Sequence, residues 1–211
     1  MQTPSLDTLH SSYYEALGRV VVEFQALEEG ITFALIRLTR SSRGDDIDMP
    51  YVFALSELSF KARLKLLRNY AERAEVQEFL YPSNPSAEER PAFFAELLAR
   101  LKAASTSCEA LEEGRNQLLH SVWRPSESEP ERTAKRFELR VQAKRTVLSN
   151  EEVPVSELLS LVARIKQAKE AISTCSEILA SVLMEKRENA AWIQRASATL
   201  IIADGTDRRG C

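Results

Sequence analysis

The sequence predicts an all-α protein, an up-and-down four-helix bundle with a small β-hairpin inserted before the last helix. Four stretches carry apolar residues at the three- and four-residue spacing of amphipathic helices, and one alternates apolar and charged residues as a strand does. With 211 residues, 44% of them hydrophobic, the chain is long enough to bury a core. We expect one helical domain over residues 1–202 and a polar, flexible tail over 203–211.

The first three helices follow from apolar spacing and from the segments that interrupt it. In the first, predicted near 13–38, apolar side chains recur in steps of four and three. They are Tyr13, Leu17, Val20, Phe24, Leu27, Ile31, Ala34 and Leu38. Ser, Gly and Asp residues between 41 and 50 compete for backbone hydrogen bonds and end this helix. A second helix is predicted near 56–79, and the prolines from Pro82 to Pro91 separate it from a third near 91–121.

A change of period after the third helix predicts the β-hairpin, near 122–147. Phe137 and Leu139 alternate with charged neighbours, which is the pattern of a strand with one buried face. The residues 126–130 are expected to form the turn, with the partner strand just before them. A fourth helix is predicted near 155–190, because another heptad series begins there. Antiparallel packing of the four helices buries all their apolar seams.

Charge and composition argue against several classes of function. The formal net charge of −3 comes from 28 basic and 31 acidic residues, so no overall positive field draws the chain to nucleic acid or to an anionic membrane. Two His and three scattered Cys form no metal-binding spacing, and glycine-rich phosphate loops are absent, so we expect no metal and no cofactor. Cys108 and Cys175 lie in apolar helical patterns, and we expect neither a signal peptide nor a membrane span. These features predict a cytoplasmic protein with reduced thiols.

One stretch of the third helix is polar where the heptad pattern requires an apolar residue. The apolar seam leads at its next step to Arg115, and burying an unpaired guanidinium is costly, so a partner or an anionic ligand is expected. At about 100° per residue, Asn116 and His120 lie about 40° apart on one flank of that seam. Glu109 and Glu113 share the flank. The sequence therefore predicts a small polar site on this helix.

These side chains suit cleavage of an RNA phosphodiester without a metal. His120 would act as general acid or base toward the ribose 2′-hydroxyl, because imidazole titrates near neutral pH. Arg115 would stabilise the charge on phosphorus, since its planar fork can bind two phosphate oxygens. Asn116 would orient the site, while Glu109 and Glu113 could fix the imidazole tautomer.

The stretch from Arg115 to His120 reads RNQLLH, and here the chain resembles the HEPN (higher eukaryotes and prokaryotes nucleotide-binding) superfamily. That family carries Arg-Asn-x-x-x-His near the end of a helix in a four-helix bundle, and the resemblance extends loosely from Tyr13 to about Lys186. It implies a metal-independent RNA endonuclease whose motifs face each other across a homodimer. It also suggests a toxin or defence protein with a cognate antitoxin. Family nucleases often add a polar residue from another helix, for which Glu57 and Ser59 are candidates.

Each candidate residue also has a structural interpretation. Arg115 could extend to solvent or pair with Glu112, and His120 could cap the helix through its dipole. Candidate RNA contacts lie on or near the predicted strand: Arg136, Arg140, Lys144 and Arg145. A charged outer face is, however, usual on a half-buried strand. The alternative function is therefore a non-catalytic HEPN-like module for dimeric interaction or ligand binding.

Overall fold

The computed structural model describes residues 8–43, 49–76, 89–142 and 145–184. These residues are mostly helical, with one small antiparallel sheet. The helices are α1 (Ser11–Arg43), α2 (Met49–Ser56), α3 (Phe60–Val76), α4 (Glu89–Leu119) and α5 (Val155–Met184). The strands are β1 (Val122–Pro125), β2 (Thr133–Gln142) and β3 (Arg145–Pro154). The predicted tail over 203–211 lies outside the described residues.

The four predicted helices are confirmed as α1, α3, α4 and α5, which begin within four residues of the predicted starts, and the predicted ends near 79 and 190 lie outside the described residues. The second, predicted near 56–79, begins at Phe60, and a short helix that was not predicted, α2, ends at Ser56, so that three residues divide the two. Ser59 explains the division, because its hydroxyl accepts a hydrogen bond from the Ala62 N–H at 3.3 Å, as a helix N-cap does. The sequence did not reveal α2 because eight residues are too few to establish a helical period.

The predicted hairpin is confirmed and extended by a third strand. β1 pairs antiparallel with β2, placing Val122 opposite Phe137, and β2 pairs antiparallel with β3 as far as Pro154. The hairpin was expected to end near 147, whereas β3 continues to the residue before α5. Val147 and Leu148 stand side by side and break the alternation from which a strand is recognised. Within the described ranges, no helix is both long and apolar enough to cross a membrane.

The chain forms two compact units, each built from two separate segments. The sheet unit comprises Met1–Glu29 and Thr106–Lys169, and the helical unit comprises Gly30–Ser105 and Glu170–Cys211. The sheet unit contains all three strands and the Arg115 to His120 stretch, while the helical unit contains α2 and α3. The helices α1, α4 and α5 contribute residues to both units.

In the sheet unit, one buried tyrosine joins α1 to the sheet. Tyr13 is fully buried, and its hydroxyl lies 2.7 Å from the Arg132 carbonyl and 2.8 Å from the Val153 carbonyl. Its ring centre is 6.3 Å from that of Trp123. Burial raises the pKa of Tyr13, and backbone hydrogen bonds from its surroundings act in the opposite direction. Tyr13 therefore fixes the start of α1 against the strands.

In the helical unit, polar contacts supplement an apolar core between α1 and α3. The Arg63 guanidinium donates to the Thr32 hydroxyl at 2.9 Å, and the hydroxyls of Thr39 and Tyr70 lie 2.9 Å apart. The core of this unit includes Leu35, Leu38, Leu64, Leu67, Leu97, Leu101, Ile172 and Leu179. These contacts join helices that are distant in sequence.

Both thiols that the sequence placed on apolar seams are buried, one in each unit. Burial, and to a lesser extent Glu109, raises the pKa of Cys108 to about 12. Burial raises the pKa of Cys175 to about 11, with Arg100 acting in the opposite direction. Thiols with such pKa values remain protonated near neutral pH, so both behave as small hydrophobic groups.

Candidate functional site

The candidate site lies at the carboxyl end of α4, where residues beyond the helix bind its last carbonyl groups. The helix ends at Leu119, and the His120 N–H donates to the Asn116 carbonyl at 3.0 Å. The Trp123 indole donates to the Leu118 carbonyl at 2.9 Å, and the Ser121 hydroxyl donates to the Gln117 carbonyl. Because terminal carbonyls otherwise lack partners, these bonds hold the chain that leaves the helix in one direction.

Arg115 points inward, as the heptad pattern predicts. Its guanidinium carbon lies 4.6 Å from the centre of the buried Phe24 ring, within the range of a cation–π interaction. Its Nη1 donates to Asn116 Oδ1 at 2.7 Å. Its Nε is buried and has no hydrogen-bond partner. Among the described residues, no carboxylate forms an ion pair with Arg115, so the expected alternative of pairing with Glu112 is wrong.

The other predicted site residues are brought together only in part. Asn116 is half-buried and contacts Arg115 directly, whereas His120 is exposed and is joined to Asn116 through the backbone. Glu113 is exposed and accepts a long hydrogen bond from Gln117 at 3.5 Å. Neither Glu109 nor Glu113 is hydrogen-bonded to the imidazole, so their proposed effect on its tautomer stays a prediction.

Two apolar side chains lie exposed on either side of His120. Leu119 retains 41% of its surface and Val122 retains 61%. Leu119 is the last residue of α4 and Val122 is the first of β1. Single exposed apolar residues are common, but two beside a titratable group give this end of α4 a mixed apolar and polar surface.

The candidate RNA contacts on the sheet have a different environment. Arg136 lies opposite Trp123, its side chain is only 13% exposed, and it forms an ion pair with Glu151. Its charge is therefore balanced within the protein, which weakens the expectation that it binds phosphate. The backbones of Arg140 and Arg145 lie in β2 and β3, but their side chains are outside the described part of the structure, and so is all of Lys144.

Sequence reasoning missed two residues that the structure places near these groups. Phe24 belongs to the apolar seam of α1, and a heptad pattern does not show which side chain of another helix lies against a given seam position. Arg124 is exposed, and its guanidinium carbon lies 5.6 Å from the centre of the Phe137 ring. Its position next to the predicted hairpin turn was the only signal available. The two polar candidates that were expected from another helix, Glu57 and Ser59, lie between α2 and α3 in the helical unit.

Comparison with known proteins identified no relative. No family model, no curated protein and no solved structure matches this chain. Among the described residues, no group of three or more His, Cys, Asp or Glu side chains is placed to hold a metal ion. The arrangement of Arg115, Asn116 and His120 at the end of α4 is therefore the feature that points to a function.

Proposed function

We propose that the protein is a metal-independent RNA endonuclease of the HEPN type. The observation that carries the proposal is the half-buried guanidinium of Arg115, which forms no ion pair with a described carboxylate. A buried charge without a counter-charge is costly, and an anionic ligand would balance it. His120 is exposed just beyond the same helix, and we assign its imidazole to a ligand bound there.

In the proposed reaction, His120 accepts the proton of a ribose 2′-hydroxyl. The 2′-oxygen then forms a bond to phosphorus, and the bond from phosphorus to the 5′-oxygen breaks. The products are a 2′,3′-cyclic phosphate and a 5′-hydroxyl, whose oxygen takes a proton from a general acid. Arg115 stabilises the negative charge that develops on the phosphoryl oxygens. Asn116 keeps the guanidinium in place through its side-chain oxygen.

The proposal includes the assembly that the resemblance implies. The four long helices would pack as an up-and-down bundle, and two protomers would join in a homodimer with their motifs facing each other. The facing protomer could then supply the general acid. Exposed Arg124 joins Arg140, Lys144 and Arg145 as candidate contacts to the RNA backbone. A cytoplasmic toxin or defence protein, held inactive by an antitoxin, would fit this activity.

A second candidate function is a non-catalytic module that mediates dimeric interaction or binds a ligand. The exposed Leu119 and Val122 favour it, because the buried core of a protein interface is enriched in apolar side chains. In this function Arg115 and Asn116 would bind groups of the partner protein instead of a substrate phosphate.

Incubation of the purified protein with single-stranded and structured RNA, in the presence of a chelator, distinguishes the two functions. The enzyme should leave 2′,3′-cyclic phosphate ends. His120→Ala and Arg115→Ala should each lower the rate by about 10² or more, and Asn116→Ala by less. All three variants should remain folded by circular dichroism. Intact RNA with a folded dimeric protein, or cleavage that persists in both single variants, would instead support the interaction module.

A further inference from the structure

The aromatic ring beneath Arg115 has a role that core packing alone does not require. Phe24 is fully buried in the seam of α1, between the aliphatic residues Val20 and Leu27. An aliphatic side chain at this position would also fill the core. The guanidinium of Arg115 lies over the ring, however, with 4.6 Å between its central carbon and the ring centre.

A ring and a carboxylate hold a cation with different consequences. A carboxylate would neutralise the guanidinium, and the charge would then be less available to a substrate phosphate. The face of a phenyl ring attracts the cation through its quadrupole but carries no net charge. Phe24 can therefore fix the position of Arg115 while leaving its full positive charge to act on a ligand.

The contacts of Arg115 also determine which nitrogen faces a ligand. Nε is buried without a partner, so it lies beyond the reach of a bound phosphate. Nη1 donates one of its hydrogens to Asn116 Oδ1. Nη2 and the second hydrogen of Nη1 remain, and they lie at the outer end of the guanidinium. A phosphate would therefore be bound at this end and not along the Nε side.

We propose that Phe24 is a positioning residue for Arg115, and that its ring holds the guanidinium so that the two Nη groups meet the substrate phosphate end-on. This inference rests on the proposed ribonuclease function. Electrostatic stabilisation is most effective when the charged group is already in place before the reaction. Without the ring, the guanidinium would keep only its hydrogen bond to Asn116, so the long Arg115 side chain would have to be ordered further at each turnover, which lowers the rate of the chemical step.

Substitution of the ring tests the inference through catalysis. Phe24→Leu should lower the cleavage rate at saturating RNA by about tenfold, with little change in the RNA concentration at half-maximal rate. Phe24→Tyr keeps the ring and should retain most of the rate. Leu27→Ala removes buried volume one turn along α1 and provides the control for packing. It should lower the unfolding temperature without a comparable loss of rate in the folded protein.

A nuclear magnetic resonance measurement tests the inference independently of cleavage. The Nε–H proton of Arg115, assigned through its loss in Arg115→Lys, should be shifted by the ring current of Phe24 and protected from solvent exchange. Phe24→Leu should remove both properties, and Leu27→Ala should keep them. An unchanged signal in Phe24→Leu, or equal rate losses in Phe24→Leu and Leu27→Ala, would overturn the positioning role. If the wild-type protein cleaves no RNA, the ribonuclease proposal fails and the catalytic part of this inference fails with it, whereas the signal still reports whether Phe24 orders Arg115.

Discussion

Arg115 on α4 and Arg136 on β2 are both half-buried in the sheet unit, but different kinds of group contact their guanidinium charges. Arg136 forms an ion pair with Glu151, whereas Arg115 lies over the ring of Phe24 and donates to the amide of Asn116. The charge of Arg136 is balanced inside the protein by a carboxylate. The charge of Arg115 is held in place but is not balanced by a carboxylate among the described residues. Burial alone therefore does not decide whether an arginine can bind an anion, because the identity of the group that holds the guanidinium decides how much of its charge is already balanced.

The largest expected difference between the two arginines is in catalysis. Arg115→Met keeps an unbranched side chain over Phe24 but removes the charge, so RNA cleavage should fall by about 10² or more. Arg136→Met removes a charge that Glu151 already balances, so the rate should change by less than about threefold. Initial rates of RNA cleavage measure both. A similar loss at Arg136 would restore it as an RNA contact and remove the distinction.

Alkaline pH tests the core next to Arg115, because Cys108 lies one heptad earlier on the same seam. Its pKa is raised from 9.0 to about 12, so the unfolded protein loses the thiol proton at lower pH than the folded one does. The stability contributed by the neutral thiol is fully present below pH 9.0 and should be lost as the pH rises toward 12. Urea unfolding at several pH values should show this loss, and it should be smaller in Cys108→Ala.

Cys175 provides the matched control from the helical unit. Its pKa is raised to about 11, so Cys175→Ala should reduce the alkaline loss by less than Cys108→Ala does. Tyr13, whose pKa is also raised, should account for part of the loss that persists in both variants. The reverse order of the two cysteine variants would show that the seam near Arg115 is more hydrated than its burial indicates.

Unfolding free energies should rank the arginines in the opposite order to catalysis. Arg136→Met leaves Glu151 without its partner, but this carboxylate is 56% exposed, so the loss should stay below about 1 kcal/mol. Arg115→Met removes a buried Nε–H that has no partner, but it also removes the hydrogen bond to Asn116 and a cation–π contact. These effects oppose each other, so stability should be unchanged within about 1 kcal/mol or should rise. A loss above about 2 kcal/mol in urea unfolding would identify Arg115 as a structural residue.

The smallest expected effect concerns the glycine that precedes Arg115. A Cβ atom at Gly114 would lie 3.6 Å from Leu161, an ordinary van der Waals distance, so Gly114→Ala should raise the unfolding free energy by about 0.5–1 kcal/mol. Gly18→Ala on α1, where nothing lies within 4 Å, should give a similar gain and serves as the control. Differential scanning calorimetry and cleavage rates measure the outcome. A loss of activity in Gly114→Ala alone would indicate that close contact with α5 helps to position Arg115.

The sequence was sufficient for features that depend on local periodicity. The heptad steps through Val20 and Leu27 located α1, and the alternation around Phe137 located β2. The heptad pattern of α4 placed Arg115 at an inward-facing position. Local periodicity carries no information about partners that are distant in the chain. Neither the contact with Phe24 nor the ion pair of Arg136 with Glu151 could be predicted, because each depends on how separate elements pack.

Short elements were missed for a related reason. The eight residues of α2 and the adjacent Val147 and Leu148 of β3 give too little alternation to distinguish one structure from another. The break between α2 and α3 depends on the cap formed by Ser59, and a serine in sequence does not reveal whether its hydroxyl binds a backbone N–H. Arg124 was overlooked because its neighbour Phe137 becomes apparent only when β1 and β2 are aligned.

The contacts of Tyr13 have a consequence for how the protein folds during synthesis. The Tyr13 hydroxyl bonds to carbonyls 119 and 140 positions later in the chain. Closing such long loops is slow, because the chain loses conformational entropy before the stabilising contacts between its ends have formed. When α1 leaves the ribosome, it lacks the strands and the part of α4 that complete its unit. Phe24 can meet Arg115 only after residue 115 has been synthesised, and Tyr13 can meet the carbonyl of Val153 only later still, so the amino-terminal part of α1 waits for much of the chain before its contacts form.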